Sequence, residues 1–338
     1  MAVKSSGTLS FNTDIVGEFG GSTPHSLSEY YGVDSGVPSS GTIAFSDFYG
    51  ASNVVTASGG STINGQTALQ QIRTSNYISS GGTFEIPSNY WIWSDNTGVA
   101  ALIIDTPNAT VVNRGKIIGR GGNGGWRSNG YAGGPAIQVT ASGVTISNVS
   151  GAYIAGGGGG GGGSTKGTRT AGGGGGAGGG RGGPSASEGS PSQYINWLAG
   201  GSINAVGPIP GNVDLVTGNA IFIAGGAGGA GGFARSDQAQ TGGGSGGRIL
   251  PGSGGSRPSI AYTYQIRDDG NKVMYGNGNG GAGGSAGTSS SVSAAAGGGG
   301  GWGAAGGNGD GRGGGAGGAA VSGSYTRGTW SGTVYGSS

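Results

Sequence analysis

The stretch AGGGGGGGGSTKGTRTAGGGGGAGGGRGG at residues 155–183 decides the fold. It holds two long glycine tracts on either side of a short polar insert, and similar tracts recur through the C-terminal part of the chain. Of the 91 glycines, 15 lie in residues 1–118 and 76 lie in residues 119–338. The chain therefore has at least two regions of different physical character.

The glycine tracts require a structure in which backbones pack without side chains. Glycine costs about 1 kcal/mol per residue relative to alanine in an α-helix, which excludes that helix. Collagen needs strict Gly-X-Y triplets with much proline, and this chain has 11 prolines. Extended glycine helices of the polyproline-II type, packed side by side, pair their amides with neighbouring carbonyls. Flexible Gly/Ser linkers are the alternative.

We therefore predict a polyglycine type II lattice. Its tracts have similar lengths and are separated by apolar and aromatic segments that flexible linkers do not need. Glycines inside such a lattice have no room for a side chain, and our candidates for these scaffold positions are Gly159, Gly174, Gly229 and Gly299. The tracts are 119–125, 156–163, 172–183, 225–232, 242–247, 276–284, 297–303 and 313–318.

Strands precede the glycine tracts. The segments IPSNYWIWSD (86–95), AALIID (100–105) and ATVVNRGKIIGRGG (109–122) are rich in β-forming residues. A short motif recurs as IIGRGG (117–122), YIAGGG (153–158) and FIAGGA (222–227), and NATVVNRG (108–115) aligns with SGVTISNV (142–149). Repeats of this length predict stacked rungs, hence a short β-solenoid-like region that passes its chain into glycine helices.

The first fifty residues form a small module of their own. SGTLSF (6–11) and SGTIAF (40–45) are near copies whose alternation predicts strands, and the residues from Ser26 to Glu29 fit a helix capping box. Such a short module gains stability by docking on another protein or by capping its own chain. We predict a mostly β and irregular fold with little α-helix, divided into residues 1–50, 51–118 and 119–338.

The composition argues against several function classes. Only 9% of residues are charged and the net charge is +2, without the dense basic patch of a nucleic-acid binder. There is no cysteine and no apolar stretch long enough to span a membrane. The single histidine, His25, gives a poor basis for a catalytic triad, and Asp268-Asp269-Gly270-Asn271 reads better as a β-turn than as a calcium loop. We predict no catalytic residues, no metal and no cofactor.

Two segments resemble parts of phage tail proteins. GTLSFNTDIVGEFGG (7–21), SLSEYYG (26–32) and SGTIAFSDFYG (40–50) resemble a module near the N-termini of many tail-fibre and tail-tip proteins. GGGGGWGAAGGNGDGRGGGAGGAAVSG (297–323) resembles the glycine-rich ends of phage receptor-binding proteins. The architecture is similar to that of the adhesins at the long tail-fibre tips of T-even-like phages. The strand-rich region 51–118 and the N-terminal module depart from that family's pattern.

The resemblance implies a receptor-binding protein at the distal end of the virion tail, made in the host cytoplasm. Residues 1–50 would attach it to other tail proteins, and its loops would bind an outer-membrane protein or lipopolysaccharide of the host, without membrane insertion or nucleic-acid binding. A tail-axis position favours a homotrimer, whereas one chain is enough to build a glycine lattice. A structural tail component and a surface-glycan-degrading enzyme are the alternatives.

The segments between glycine tracts are the predicted receptor-binding loops. Binding residues concentrate in loops on rigid scaffolds, and tyrosine and tryptophan are frequent among them. The alternative for each aromatic residue is that it caps an edge of the lattice. The longest loops are 184–210 and 248–275, and shorter ones are 126–135, 164–171, 233–241 and 285–296. The receptor-binding candidates are Trp126, Tyr131, Tyr194, Trp197, Phe233, Tyr262, Tyr264 and Tyr275.

Overall fold

The computed structural model describes residues 3–34, 36–63, 66–166, 169–180, 296–309 and 311–338. Within them the chain is mostly β, with little helix, as the sequence predicts. The strands are β1 Val54–Thr56, β2 Ser61–Ile63, β3 Gln66–Gln70, β4 Ile72–Arg73, β5 Thr83–Ile86, β6 Tyr90–Trp93, β7 Leu102–Ile104, β8 Thr110–Asn113, β9 Lys116–Ile118, β10 Ile137–Val139, β11 Thr145–Asn148, β12 Tyr153–Ala155, β13 Ser164–Lys166, β14 Arg169–Ala171, β15 Val321–Ser322, β16 Thr326–Trp330 and β17 Thr333–Tyr335.

Three sheets built almost wholly of parallel pairs contain most of these strands. Their orders are β1-β5-β8-β11-β16, β15-β10-β7-β4 and β17-β12-β9-β6-β3-β2, and only the β2–β3 pair within them is antiparallel. Each passage of the chain, such as β7-β8-β9 and then β10-β11-β12, adds one strand to each sheet. The last passage, β15-β16-β17, extends all three sheets from the C-terminal end of the chain. The sheets thus continue beyond residue 118, and the predicted three-part division stays a prediction.

The sequence repeat coincides with the register of the sheets. Thr110 pairs with Thr145, and Ile117 pairs with Ile154, so the aligned segments lie side by side as neighbouring strands. The predicted strands in 86–95, 100–105 and 109–118 are confirmed as β6, β7, β8 and β9. The third copy of the motif, at 222–227, lies outside the described residues.

Alternating burial places one face of each strand in a shared core. In β8 and β11 the inward residues are Val111 and Ile146, and both are fully buried. Asn113 and Asn148 also point inward, and the Asn113 amide donates to Asn148 Oδ1 at 2.9 Å. The Asn148 amide in turn donates to the Thr333 carbonyl at 3.2 Å, so the buried amides are paired from strand to strand. The cost of burying these polar groups is offset by their mutual hydrogen bonds.

The N-terminal module has no strand in the two segments where the sequence predicts strands. Residues 6–10 and 40–44 form no regular element, and each leads into a short helix, Phe11–Ile15 and Phe45–Phe48. The strand prediction for these near copies is wrong, because their alternation buries residues in a local aromatic core instead of a sheet. The capping box is confirmed: Glu29 accepts a hydrogen bond from the Ser26 N–H at 3.1 Å and helix Leu27–Tyr30 follows.

Seven glycine-rich segments in the described residues pack side by side. They are 119–125, 130–136, 156–163, 172–180, 297–303, 304–309 and 313–320. Backbone hydrogen bonds join them at intervals of three residues: for example, Gly122 and Gly125 donate to Gly158 and Gly161. We call this set the glycine array. A repeat of three is the period of a polyproline-II-type helix.

Segment 156–163 lies at the centre of the glycine array. Its N–H groups donate to segments 130–136, 172–180 and 304–309 in turn, while its carbonyls accept from 119–125, 297–303 and 313–320. Every N–H and carbonyl from 157 to 162 is paired, at N···O distances of 2.7–2.9 Å. Burial of so much backbone is tolerated because each polar group has a partner.

An aromatic cluster joins the sheets to the glycine array. Trp302, which is 2% exposed, packs with Trp91 and Ile118 of the six-stranded sheet and with Ala177 of segment 172–180. Segment 119–125 follows β9 directly and segment 156–163 follows β12, so both segments leave the sheets on this side. The other end of the array is therefore remote from the sheets.

Candidate functional site

Three turns meet at the end of the glycine array that is remote from the sheets. They are the loop 126–129, the β13–β14 hairpin at 164–171 and the turn at 309–312. Gly163, just before the hairpin, donates to the Ser128 carbonyl at 3.1 Å. Gly313, just after the turn, donates to Asn129 Oδ1 at 3.0 Å. These contacts bring the three turns together, and we call them the distal tip.

The loop 126–129 has a fixed conformation. The Trp126 N–H donates to Ser128 Oγ at 3.2 Å, and that hydroxyl donates to the Asn129 carbonyl at 3.2 Å. Arg127 has φ = +53°, in the left-handed region that non-glycine residues rarely adopt. Its guanidinium carbon lies 5.3 Å from the centroid of the Trp126 ring, a cation–π distance. Arg127 is exposed and Trp126 is half-buried.

Two of the predicted receptor-binding residues lie at or beside this tip. Trp126 is in the loop, and Tyr131 follows it by five residues at the start of segment 130–136. The Tyr131 backbone belongs to the glycine array, because its N–H donates to Asn123 and its carbonyl accepts from Gly160. Its side chain is 54% exposed. The other candidates lie outside the described residues: Tyr194, Trp197, Phe233, Tyr262, Tyr264 and Tyr275.

Sequence reasoning singled out the aromatic residues of these loops and missed the basic ones. Arg127 and Arg312 are exposed at the distal tip, and Lys166 and Arg169 are paired residues of the hairpin. The sequence places these residues in separate short inserts, and only the packing of the array brings the inserts together. The sequence feature that could have indicated these basic residues is their shared position in inserts between glycine tracts.

The scaffold glycines that the structure describes lie inside the array. Gly159 donates to the Ala304 carbonyl at 2.9 Å and accepts from Gly300 at 2.7 Å. A Cβ on Gly159 would overlap the Gly315 carbonyl, and one on Gly299 would overlap the Gly175 carbonyl. Gly174 donates to Gly297 and accepts from Gly161. Gly229 lies outside the described residues.

Asp105 and Lys116 form structural contacts within the sheets. The Asp105 carboxylate accepts hydrogen bonds from the Ser75 N–H and hydroxyl at 3.0 Å and from Arg73 at 3.1 Å. Burial alone would raise the pKa of Asp105, but these bonds together lower it below its usual value. Burial lowers the pKa of Lys116, whose Nζ lies 4.5 Å from the Trp91 ring centroid.

The histidine and acidic side chains of the described residues do not form a metal site. His25 Nδ1 lies 3.5 Å from Glu29 Oε2, inside the N-terminal module. No group of three or more His, Cys, Asp or Glu side chains in the described ranges is arranged to hold a metal ion. Among these residues, no helix has the length and apolar character needed to cross a membrane. Asp268 and Asp269 lie outside the described residues.

Comparison with known proteins gives a family match. Residues 55–220, just under half of the chain, match the model of the phage tail fibre adhesin Gp38 family. A solved structure, the gp37-gp38 adhesin tip complex of the bacteriophage S16 long tail fibre, is similar at 18% sequence identity and a TM-score of 0.44, covering 99% of both chains. No curated protein matches the chain. Residues 55–220 are therefore similar to the Gp38 family of phage tail fibre adhesins, which confirms the resemblance that the sequence indicated.

Proposed function

We propose that this chain is the receptor-binding adhesin at the distal end of a phage tail, and that its loops bind an outer-membrane protein or lipopolysaccharide of the host. The family match supports a tail fibre adhesin. The distal tip carries the proposal further, because it displays an aromatic and basic loop at the end of a rigid backbone array. Such an adhesin acts by binding and needs no catalytic group.

The scaffold of this adhesin is, in our proposal, a polyglycine type II lattice that continues from a short β-solenoid. Support for the lattice comes from the three-residue interval of the hydrogen bonds and from the six segments around 156–163. Support for the solenoid comes from successive chain passages that add one parallel strand to each of three sheets.

A lattice of this kind suits receptor binding because it fixes the ends of each loop. The loop 126–129 is bonded to segment 156–163 through Ser128 and to segment 313–320 through Asn129. A loop that is already ordered loses less conformational entropy on binding. Sequence changes in such a loop leave the glycine backbone contacts untouched, which separates specificity from stability.

Attachment to the virion is assigned to residues 1–50. This module has its own buried core of Ile15, Tyr30 and Phe48, while Phe45 and Tyr49 stay substantially exposed. Exposed aromatic residues on a small module favour contact with another protein. The partner we propose is another tail fibre protein, in a tail-axis assembly of three copies of this chain. The division into 1–50, 51–118 and 119–338 follows these roles.

The test is competition between the purified chain and phage for adsorption to host cells. The chain is expected to bind cells saturably and to block adsorption. Trp126→Ala with Tyr131→Ala is expected to weaken the block, whereas Arg114→Gln, on the sheets, leaves it intact. Binding that is absent for the wild type would favour a purely structural tail component. Release of sugar from the envelope would instead favour a glycan-degrading enzyme.

A further inference from the structure

The distal tip concentrates positive charge. Arg127 lies in the loop 126–129, Lys166 and Arg169 pair across the β13–β14 hairpin, and Arg312 lies in the turn 309–312. The only acidic residue in the sequence of these three turns is Asp310. The whole chain, by contrast, has 16 basic and 14 acidic residues. In sequence, these three turns thus hold four basic residues and one acidic residue.

Backbone contacts fix the cationic turns next to one another. Ser128, one residue after Arg127, accepts from Gly163, which immediately precedes the hairpin. Asn129 accepts from the N–H of Gly313, the residue after Arg312. Gly162 donates to Gly307, which brings the chain before the third turn to the same end. Arg127 and Arg312, which are both exposed, therefore lie in neighbouring turns at this end of the array.

The conformation of Arg127 is the second observation. Its φ of +53° costs free energy that glycine or asparagine at this position would avoid. The strained loop holds the guanidinium against the Trp126 ring, within the loop's own hydrogen bonds. Strain of this kind clusters at ligand sites, where it preorganises a group for binding.

These observations together select a ligand class. Arginine guanidinium groups match phosphate oxygens with two parallel hydrogen bonds, and neighbouring cations increase the attraction to the phosphate charge. The exposed Tyr131 ring gives an apolar face on which a sugar ring can lie. We infer that the distal tip binds a phosphate-bearing glycan of the cell envelope, with Arg127 and Arg312 contacting phosphate. This inference rests on the proposed adhesin function and names the ligand class for it.

The experiment uses lipopolysaccharide purified from cells to which the full chain adsorbs. Binding of the wild type is measured to this lipopolysaccharide before and after phosphatase treatment, and with inorganic phosphate as competitor. Dephosphorylation is expected to weaken binding about tenfold or more, the loss expected when charge-assisted hydrogen bonds are removed. Binding is also expected to weaken between about 0.15 and 1 M salt, as the screening length falls from about 8 to 3 Å.

The variants separate binding from folding. Arg127→Gly removes the side chain and suits a positive φ, so its melting temperature is expected to match or exceed that of the wild type while binding falls about tenfold. Arg312→Gln is expected to weaken binding in the same direction. Arg114→Gln, an exposed arginine on the sheets paired with Glu85, is the matched control and is expected to bind as the wild type does.

Two outcomes would overturn the inference while leaving the adhesin function standing. One is cell adsorption that continues while phosphatase treatment and both tip variants have no effect. The other is binding to purified outer-membrane protein instead of lipopolysaccharide, which would assign the cations to an acidic protein surface. Failure of the wild type to adsorb to any cell would reject the adhesin function itself.

Discussion

Substitution of Gly159 by alanine tests the packing of the glycine array at its centre. A Cβ there would overlap the Gly315 carbonyl oxygen and lie 2.5 Å from the Gly315 carbonyl carbon and 2.8 Å from the Ala316 oxygen. These atoms are backbone and cannot turn aside as a flexible side chain can. Segment 313–320 must therefore move away from segment 156–163.

The size of the effect follows from the bonds that this movement breaks. Carbon atoms pack best about 3.5–4.0 Å apart, so a displacement of about 1 Å is needed. The bonds from Gly315 to Gly160 at 2.8 Å and from Gly318 to Gly157 at 2.7 Å join the same two segments. Loss of both leaves two N–H groups and two carbonyls unpaired and costs roughly 4–12 kcal/mol, at about 1–3 kcal/mol for each buried group left without a partner. For a chain of this length unfolding as one unit, the melting temperature falls by roughly 6–17 °C.

The matched control is Gly313→Ala in the same array. A Cβ at Gly313 would approach nothing closer than 3.9 Å, so this change is expected to be neutral, or to stabilise by about 0.4–1 kcal/mol through the unfolded chain. Thermal unfolding of both variants and the wild type, followed by circular dichroism or calorimetry, gives the comparison. Equal melting temperatures for Gly159→Ala and Gly313→Ala would refute close packing at Gly159. Gly159→Val is expected to be worse than Gly159→Ala.

Three further variants test the sheets and their junction with the array. Asn148→Ala removes the partner of the buried Asn113 amide and is expected to cost about 1–3 kcal/mol for each group left unpaired; chemical denaturation with an unchanged midpoint would contradict this. The pKa of Asp105 is lower in the folded chain than in the unfolded chain. The stabilisation that this carboxylate gives is therefore complete above the ordinary carboxyl pKa and is lost as the pH falls through the pKa of the folded chain. Asp105→Asn should flatten this part of the acid-unfolding profile, and an unaltered profile would count against this prediction. Trp302 is buried and its Nε1 has no hydrogen-bond partner. Trp302→Phe should therefore lower the free energy of unfolding by much less than the roughly 3–5 kcal/mol expected for Trp302→Ala. Equal losses for the two variants would show that the indole nitrogen matters.

The sequence predicted those features that depend on local pattern. The repeat of NATVVNRG in SGVTISNV predicts neighbouring strands, and β8 pairs with β11 residue for residue because the same alternation buries Val111 and Ile146 in one core. The eight consecutive glycines at 156–163 indicate backbone-only packing, since a run without side chains has nothing else to bury.

The remaining features depend on tertiary contacts. SGTLSF and SGTIAF alternate as strands do, but their phenylalanines pack in a small aromatic cluster, with Phe11 and Phe45 ring centroids 5.9 Å apart. Of the final strands, β16 contains polar residues and a glycine and β17 is only three residues long, so little in their sequence shows that they complete two sheets. The contact between the loop 126–129 and the end of the turn 309–312 depends on the direction in which each glycine segment runs, which composition does not specify.

The hydrogen bonds around segment 156–163 also constrain how such a chain can change in evolution. Because the bonds repeat every three residues and involve no side chains, insertion of three glycines would lengthen a segment by about 9 Å and return its donors to the same neighbours. An insertion of one residue would turn the following donors by about a third of a revolution, toward the wrong neighbours. Glycine segments should therefore tolerate length changes in whole triplets. The turns between them are not restricted to length changes of whole triplets, so recombination can exchange them between related phages while the three-residue repeat of the segments is kept.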